Sequence, residues 1–145
     1  MKIALTLFFS ILSTAVFCQA KPKPKSGGVP TSITKLSLSR GKIVYETYCL
    51  PCHQQDGAGV ARLNPPLVKN DWVNGDKKRL INVILKGLDQ PMEINGETYN
   101  NVMASHDYLT DLEVADVLTY VRNSFGNKAS PITPVEVKAV RGSKK

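Results

Sequence analysis

Five consecutive residues carry the most specific chemistry in this 145-residue chain: Cys49-Leu50-Pro51-Cys52-His53. Two thiols three residues apart, followed at once by an imidazole, form the attachment signature of haem c. The thiols reach the two vinyl groups on one edge of the macrocycle and form thioethers there. His53 then lies under the iron and offers a ring nitrogen as proximal ligand. Two other chemistries use the same cysteine pair. A structural zinc ion needs two more ligands, and beyond His53 the sequence holds one further histidine, His106, so the set is short unless a carboxylate joins. A thiol–disulfide oxidoreductase needs a buried strand and a βαβ pattern before its Cys-x-x-Cys, whereas residues 39–48 read as a helix.

A six-coordinate iron needs a second ligand from far along the chain. Past the first twenty residues the methionines are Met92 and Met103. Met103 ends the irregular stretch Tyr99-Asn100-Asn101-Val102-Met103, just before the last helix, where the chain can fold across the far face of a haem. Thioether ligation raises the reduction potential and suits an electron carrier. His106, Met92 and an open iron site are the alternatives, and filling a gap in the core is the other ordinary use of a methionine. The expected cofactor is one haem c, covalent through Cys49 and Cys52, with His53 and Met103 as metal ligands. No acid–base pair or activated nucleophile stands out, so the expected role is electron transfer rather than catalysis.

Three helices are expected to position these groups. The first spans about Ser39 to Cys49, capped by Ser37 or Ser39. The second spans about Asp76 to Leu85, with Asp76 as its cap and Gly87 where a left-handed residue ends a helix. The third opens on the capping box Thr110-Asp111-Leu112-Glu113, repeats Val114, Val117, Leu118 and Val121 at helical spacing, and ends by Gly126. Residues 54–74 and 88–110 read as loops, with no convincing series of strands. Two long loops in so small a domain make sense if they wrap something that fills the core.

The ends differ from the middle. Lys2, an apolar run from Ile3 to Phe17, and Cys18-Gln19-Ala20 read as a secretory signal cleaved after Ala20. The alternatives are a lipid anchor on Cys18 or an uncleaved leader. Residues 21–36 form a basic tether rich in Pro, Gly and Ser, residues 37–127 the domain, and residues 128–145 a basic tail. The formal net charge of +7 comes from the ends, because residues 37–127 hold nine Lys or Arg against eleven Asp or Glu. A near-neutral core without a basic, aromatic stripe speaks against nucleic acid as a partner. The tails are expected to be solvated. No transmembrane segment is expected after processing.

Residues 38–127 resemble the class I cytochrome c family, of the bacterial periplasmic mono-haem type. The resemblance rests on Gly41 and Tyr45, the Cys49–His53 motif, Pro65-Pro66-Leu67, the methionine loop, and the run from Leu109 to Asn127 ending Val-Leu-Thr-Tyr-Val-Arg-Asn-Ser-Phe-Gly-Asn. It implies an all-α fold of three main helices and long loops wrapped around one haem. It implies redox partners, a dehydrogenase or an oxidase, with the protein a monomer or one subunit of a complex. By position it implies that Pro66 offers its carbonyl to the His53 Nδ1–H, that Gly41 lets the first helix pack on the last near Tyr120, and that Trp72 and Tyr99 bond the haem propionates. Each has a plainer role, as loop stiffener, weak helix start or core aromatic. The family's methionine is usually followed by proline; here Ala104 follows, which implies a more mobile ligand loop.

Overall fold

Thr34 starts the first helix earlier than the apolar spacing implies. Its hydroxyl accepts from the Ser37 N–H at 3.0 Å, and the Ser37 hydroxyl accepts from the Thr34 N–H at 3.2 Å. This reciprocal cap opens α1, Lys35–Val44, in the computed structural model, which describes residues 33–143. The leader, Cys18 and residues 21–32 of the tether lie outside the described residues.

The helix then widens. Tyr45–Cys49 is a π-helical turn, in which the Leu50 N–H reaches back five residues to the Tyr45 carbonyl. Pro51 explains the change: its ring clashes with a carbonyl four residues back in a regular helix and it has no N–H to give. A π turn absorbs that conflict, and such turns often mark functional sites. The short helix α2, Leu50–His53, follows. The expected helix to Cys49 is therefore three segments, and it ends on His53.

The first long loop contains one turn of helix, α3, Asp71–Asn74, capped by Asn70. Helix α4, Lys77–Lys86, has Asp76 as its cap and Gly87 in left-handed conformation at its end. The second long loop contains a hairpin, β1 Met92–Ile94 against β2 Glu97–Tyr99, with Ile94 opposite Glu97. The expectation of loop alone is corrected there. Asn95-Gly96 between two apolar-bearing triplets is a hairpin signal, and both residues take positive φ, as such turns require. Helix α5, Asp111–Val121, carries the expected Thr110–Glu113 capping box.

Residues 128–143 depart from the expected solvated tail. They hold helix α6, Pro134–Gly142, opened by a Thr133–Glu136 capping box. Ile132, Val137 and Val140 are buried, and α6 packs on α4 and α5. The run Val-x-Val-x-x-Val is too short to outweigh the surrounding lysines in a reading by composition. The chain leading to it is tied down by Arg122, which is buried at the end of α5. Its guanidinium donates to the carbonyls of Val73 at 2.6 Å, Gly75 at 3.1 Å and Ser130 at 2.8 Å. One buried cation thus joins α3, α5 and the approach to α6.

The core lies where α1 crosses α5 and continues to α4 and α6 through Val44, Ile81, Val114, Val117, Leu118 and Val137. Tyr45 is buried between Tyr120 and Phe125, with ring centroids at 5.5 and 5.2 Å. Its hydroxyl donates to the Gln54 carbonyl at 2.6 Å, which fixes the chain just past His53.

Candidate functional site

A cavity of about 330 Å³ opens between these elements. Cys49, Cys52 and His53 line one side. Met103, Ala104 and His106 line another, and Pro65, Pro66 and Leu67 a third. The remaining wall includes apolar side chains of α4 and α5, among them Leu80, Ile84, Leu118 and Val121. The protein thus holds an apolar chamber of ligand size with thiols, an imidazole and a thioether at its edges.

The cysteines are not joined to each other: both are free thiols, Cys49 partly buried and Cys52 exposed. Burial pushes the Cys49 thiol up to about 11, and the Cys52 sulfur adds to the effect. A redox-active Cys-x-x-Cys depends on a depressed thiol pKa. The environment here does the reverse, and the motif sits on a helix end rather than after a strand.

His53 is oriented by a carbonyl. Its Nδ1 lies 3.0 Å from the Pro65 oxygen. A carbonyl only accepts, so Nδ1 carries the proton and Nε2 keeps its lone pair. Burial lowers the His53 pKa, partly opposed by the Pro65 bond, which favours the neutral ring. A neutral imidazole with one nitrogen tied to a carbonyl is the usual state of a metal-binding histidine. The orienting residue is a correction: Pro65 makes this bond, not Pro66. The Pro66 carbonyl accepts instead from the Asn70 side chain, whose oxygen also caps α3 at Val73 N–H, 2.8 Å. Two adjacent prolines offer two adjacent carbonyls, and the sequence does not say which faces the ring.

Met103 is held as part of an antiparallel bridge to Leu88. Its N–H donates to the Leu88 carbonyl at 2.8 Å, and its carbonyl accepts from the Leu88 N–H at 2.9 Å. Gly87 makes this approach feasible: a side chain there would put its Cβ 2.3 Å from the Met103 carbonyl oxygen. The same loop is pinned to the end of α4 by the Ser105 hydroxyl on the Leu85 carbonyl and the His106 N–H on the Ile84 carbonyl, both 2.8 Å. Met92 and His106 also line the cavity. His106 is half-buried, in a cluster with Tyr48 and Tyr108.

The two expected propionate partners part company. Trp72 lines the cavity, with the Arg79 guanidinium 4.3 Å above its ring. Tyr99 is buried in the hairpin and donates to Glu97 at 3.0 Å; it is not among the described residues lining the cavity. Spacing missed the apolar wall from α4, and it missed Asn70, whose signal is an Asn four residues past Pro66 and just before Asp71.

A small helical frame with long loops closed around an apolar chamber, and with Cys-x-x-Cys-His on its rim, defines a protein built to enclose a covalently attached macrocycle. The family model for cytochrome c matches residues 38–125, and the chain belongs to the cytochrome c family. It is similar to cytochrome c-552 of Thermus thermophilus, 35% identical over 118 residues, which cover 75% of this chain and 79% of that protein. It is also similar to the cytochrome c subunit of the quinone alcohol dehydrogenase of Gluconacetobacter polyoxogenes, at 34% identity over 70% of this chain and 22% of that protein. The gluconate 2-dehydrogenase cytochrome c subunit of Pantoea cypripedii matches at 32%, over 70% of this chain and 24% of that protein. The family binds haem c covalently, and this chain is a haem-containing electron carrier rather than a catalytic enzyme.

Proposed function

We propose that the protein carries one haem c and passes single electrons between redox proteins in an exported, periplasmic location. The observation that supports this best is the placing of His53 and Met103 on the same cavity, with both cysteines on its rim. In this reading Cys49 and Cys52 would hold the haem covalently as thioethers, His53 Nε2 and the Met103 sulfur would hold its iron, and Trp72 would serve a propionate. The bound group supplies the ferrous–ferric couple. The chain's own part is to keep both ligands in place in either state, to exclude water with the α4 and α5 side chains, and to hold the His53 proton on Nδ1 toward Pro65.

The partners proposed are dehydrogenases or oxidases. Support comes from the relatives named as cytochrome subunits of dehydrogenases and from the leader-like residues 1–20. Such encounters use small, short-lived interfaces.

A redox titration of the haem-loaded protein beside Met103→Ala tests the assignment. The expected result is a sulfur–iron charge-transfer band in the parent, and in the variant loss of that band with a lower potential. An unchanged potential and spectrum in the variant would remove Met103 as ligand. Two intact titratable thiols in protein from a haem-maturing host would remove the covalent attachment.

A further inference from the structure

Helix α6 lies beyond residues 38–125, the part of the chain that the family model matches. Its hydrophobic side covers α4 and α5. Its last turn does something different. Arg141 reaches back to the segment that leads from Met103 into α5. Nη1 donates to the Asp107 carbonyl at 2.7 Å, Nη2 to the Leu109 carbonyl at 2.7 Å, and Nε to the Asp111 carboxylate at 2.8 Å. Three donors of one planar group therefore grip three residues within one short stretch. Bonds from a cation are stronger than neutral ones, and the rigid fork of guanidinium fixes direction as well as distance. Both Arg141 and Asp111 are about two-thirds shielded from solvent.

The grip completes a set of anchors. Starting from Met103, the loop is tied to Leu88, just past α4, and to Leu85 and Ile84 in its last turn. Past His106 those ties to α4 stop, and Arg141 takes over at Asp107. Without it, the stretch from Asp107 to the α5 cap keeps the packing of Tyr108 on Tyr48 and the burial of Leu109, but its remaining hydrogen bonds among the described residues are local, such as Leu109 N–H to the His106 carbonyl at 3.1 Å. Ala104, in place of a stiffening proline, leaves the loop dependent on such external ties.

We propose that Arg141 is a positioning residue for the Met103 loop, so that α6 acts as a brace on the far-side iron ligand. The proposal rests on the reading of Met103 as that ligand. Its role is to keep the loop closed, which makes replacement of the thioether by another ligand harder.

The test is imidazole binding to the ferric, haem-loaded protein, since added imidazole binds only when the native ligand has left. Arg141→Gln is compared with Lys77→Gln, which breaks a second polar tie of α6, Lys77 to Glu136 at 2.9 Å, at the opposite end of the helix. The expected result is imidazole binding about tenfold tighter in Arg141→Gln, in the usual range of coupling between sites, with Lys77→Gln unchanged. Denaturant midpoints are measured alongside, so that general loosening is separated from loosening at the iron. Arg141→Lys, which keeps the charge and loses the fork, serves if Arg141→Gln does not fold; it is expected to show the same sign. Unchanged imidazole affinity in the arginine variant, or an equal change in Lys77→Gln, overturns the proposal. If the parent protein lacks the sulfur–iron band, the Met103 reading fails and this one with it; if the band is present and Arg141→Gln leaves imidazole affinity unchanged, only this one fails.

Discussion

Gly41 lies against the backbone of Asp116: a Cβ on Gly41 would come within 2.1 Å of the Asp116 carbonyl oxygen and 2.8 Å of the Tyr120 Cβ. The crossing of α1 and α5 is therefore backbone against backbone, and no side chain fits between. Next to it, Arg40 Nε meets the buried Asp116 carboxylate at 2.5 Å, which fixes the rotation of one helix on the other. Gly41→Ala should cost about 3 kcal/mol of stability, at the upper end of ordinary overpacking, even though alanine favours helices. Denaturant unfolding of the haem-loaded protein measures it. Equal or greater stability in the variant would mean that the helices slide apart without cost.

Asn127 joins the end of α5 to the loop that carries Pro65. It is buried, and its amide donates to the carbonyls of Leu67 at 2.8 Å and Val121 at 2.9 Å, while its oxygen accepts from the Lys69 N–H at 3.0 Å. Asn127→Ala should cost about 3 kcal/mol, because several buried backbone groups lose their partner at once. Asn127→Asp keeps the acceptor and loses both donors, so it is expected to be no better. Thermal unfolding of both variants is the check. A near-neutral Asn127→Asp would show that the donors contribute little.

How much of this was legible in the sequence follows from how local each signal is. Asp76, Gly87 and the Thr110–Glu113 box mark helix ends through neighbouring residues alone, and the structure places them as expected. Cys49, Cys52 and His53 are legible as a site because their chemistry needs adjacency. The Pro65 carbonyl was not, since the choice between two adjacent carbonyls depends on how the whole loop is held by Asn70 and Asn127. Helix α6 was hidden because its two buried apolar residues, Val137 and Val140, gain meaning only against α4 and α5, while its charge is visible at once. The π turn was unread although Pro51 forces some departure from regular helix, because proline alone does not say which departure the chain takes. Tyr99 looked like a propionate partner by order along the chain, but the hairpin directs its hydroxyl to Glu97.

Glu136 gives α6 an acid-sensitive attachment. Burial alone would raise its pKa, but the Lys77 ammonium and the Thr133 N–H and hydroxyl outweigh this and hold the carboxyl below its ordinary value. A depressed folded-state pKa stabilises above the unfolded value, about 4.3, and that gain is lost as pH falls through the folded value. The side chain is 40% exposed, so the gain at neutral pH is small, roughly 1 kcal/mol after screening. Parent protein and Glu136→Gln should therefore differ in stability at pH 7 and converge as pH falls through the depressed folded-state value of the Glu136 carboxyl. Unfolding midpoints across that range test it; a constant gap at all pH values would assign the effect to the capping bonds alone.

Ala104 offers the opposite experiment to the loss of Arg141. Met103 sits in an antiparallel bridge, so its backbone is already extended, the conformation that a following proline demands. Ala104 is not among the residues with positive φ, and its N–H makes no backbone hydrogen bond among the described residues. Its carbonyl, which accepts from His106 Nδ1 at 2.9 Å, is kept by proline. Ala104→Pro should therefore stiffen the loop without breaking a contact and add about 0.5 kcal/mol by restricting the unfolded chain. At the iron, the expected consequence is slower replacement of the native ligand by added imidazole, with the sulfur–iron band unchanged. Stopped-flow mixing of ferric protein with imidazole reads the rate directly. An unchanged rate would mean that the loop opens at a hinge other than residue 104, and the Gly87 crossing or the Asp107 segment would be the next place to look.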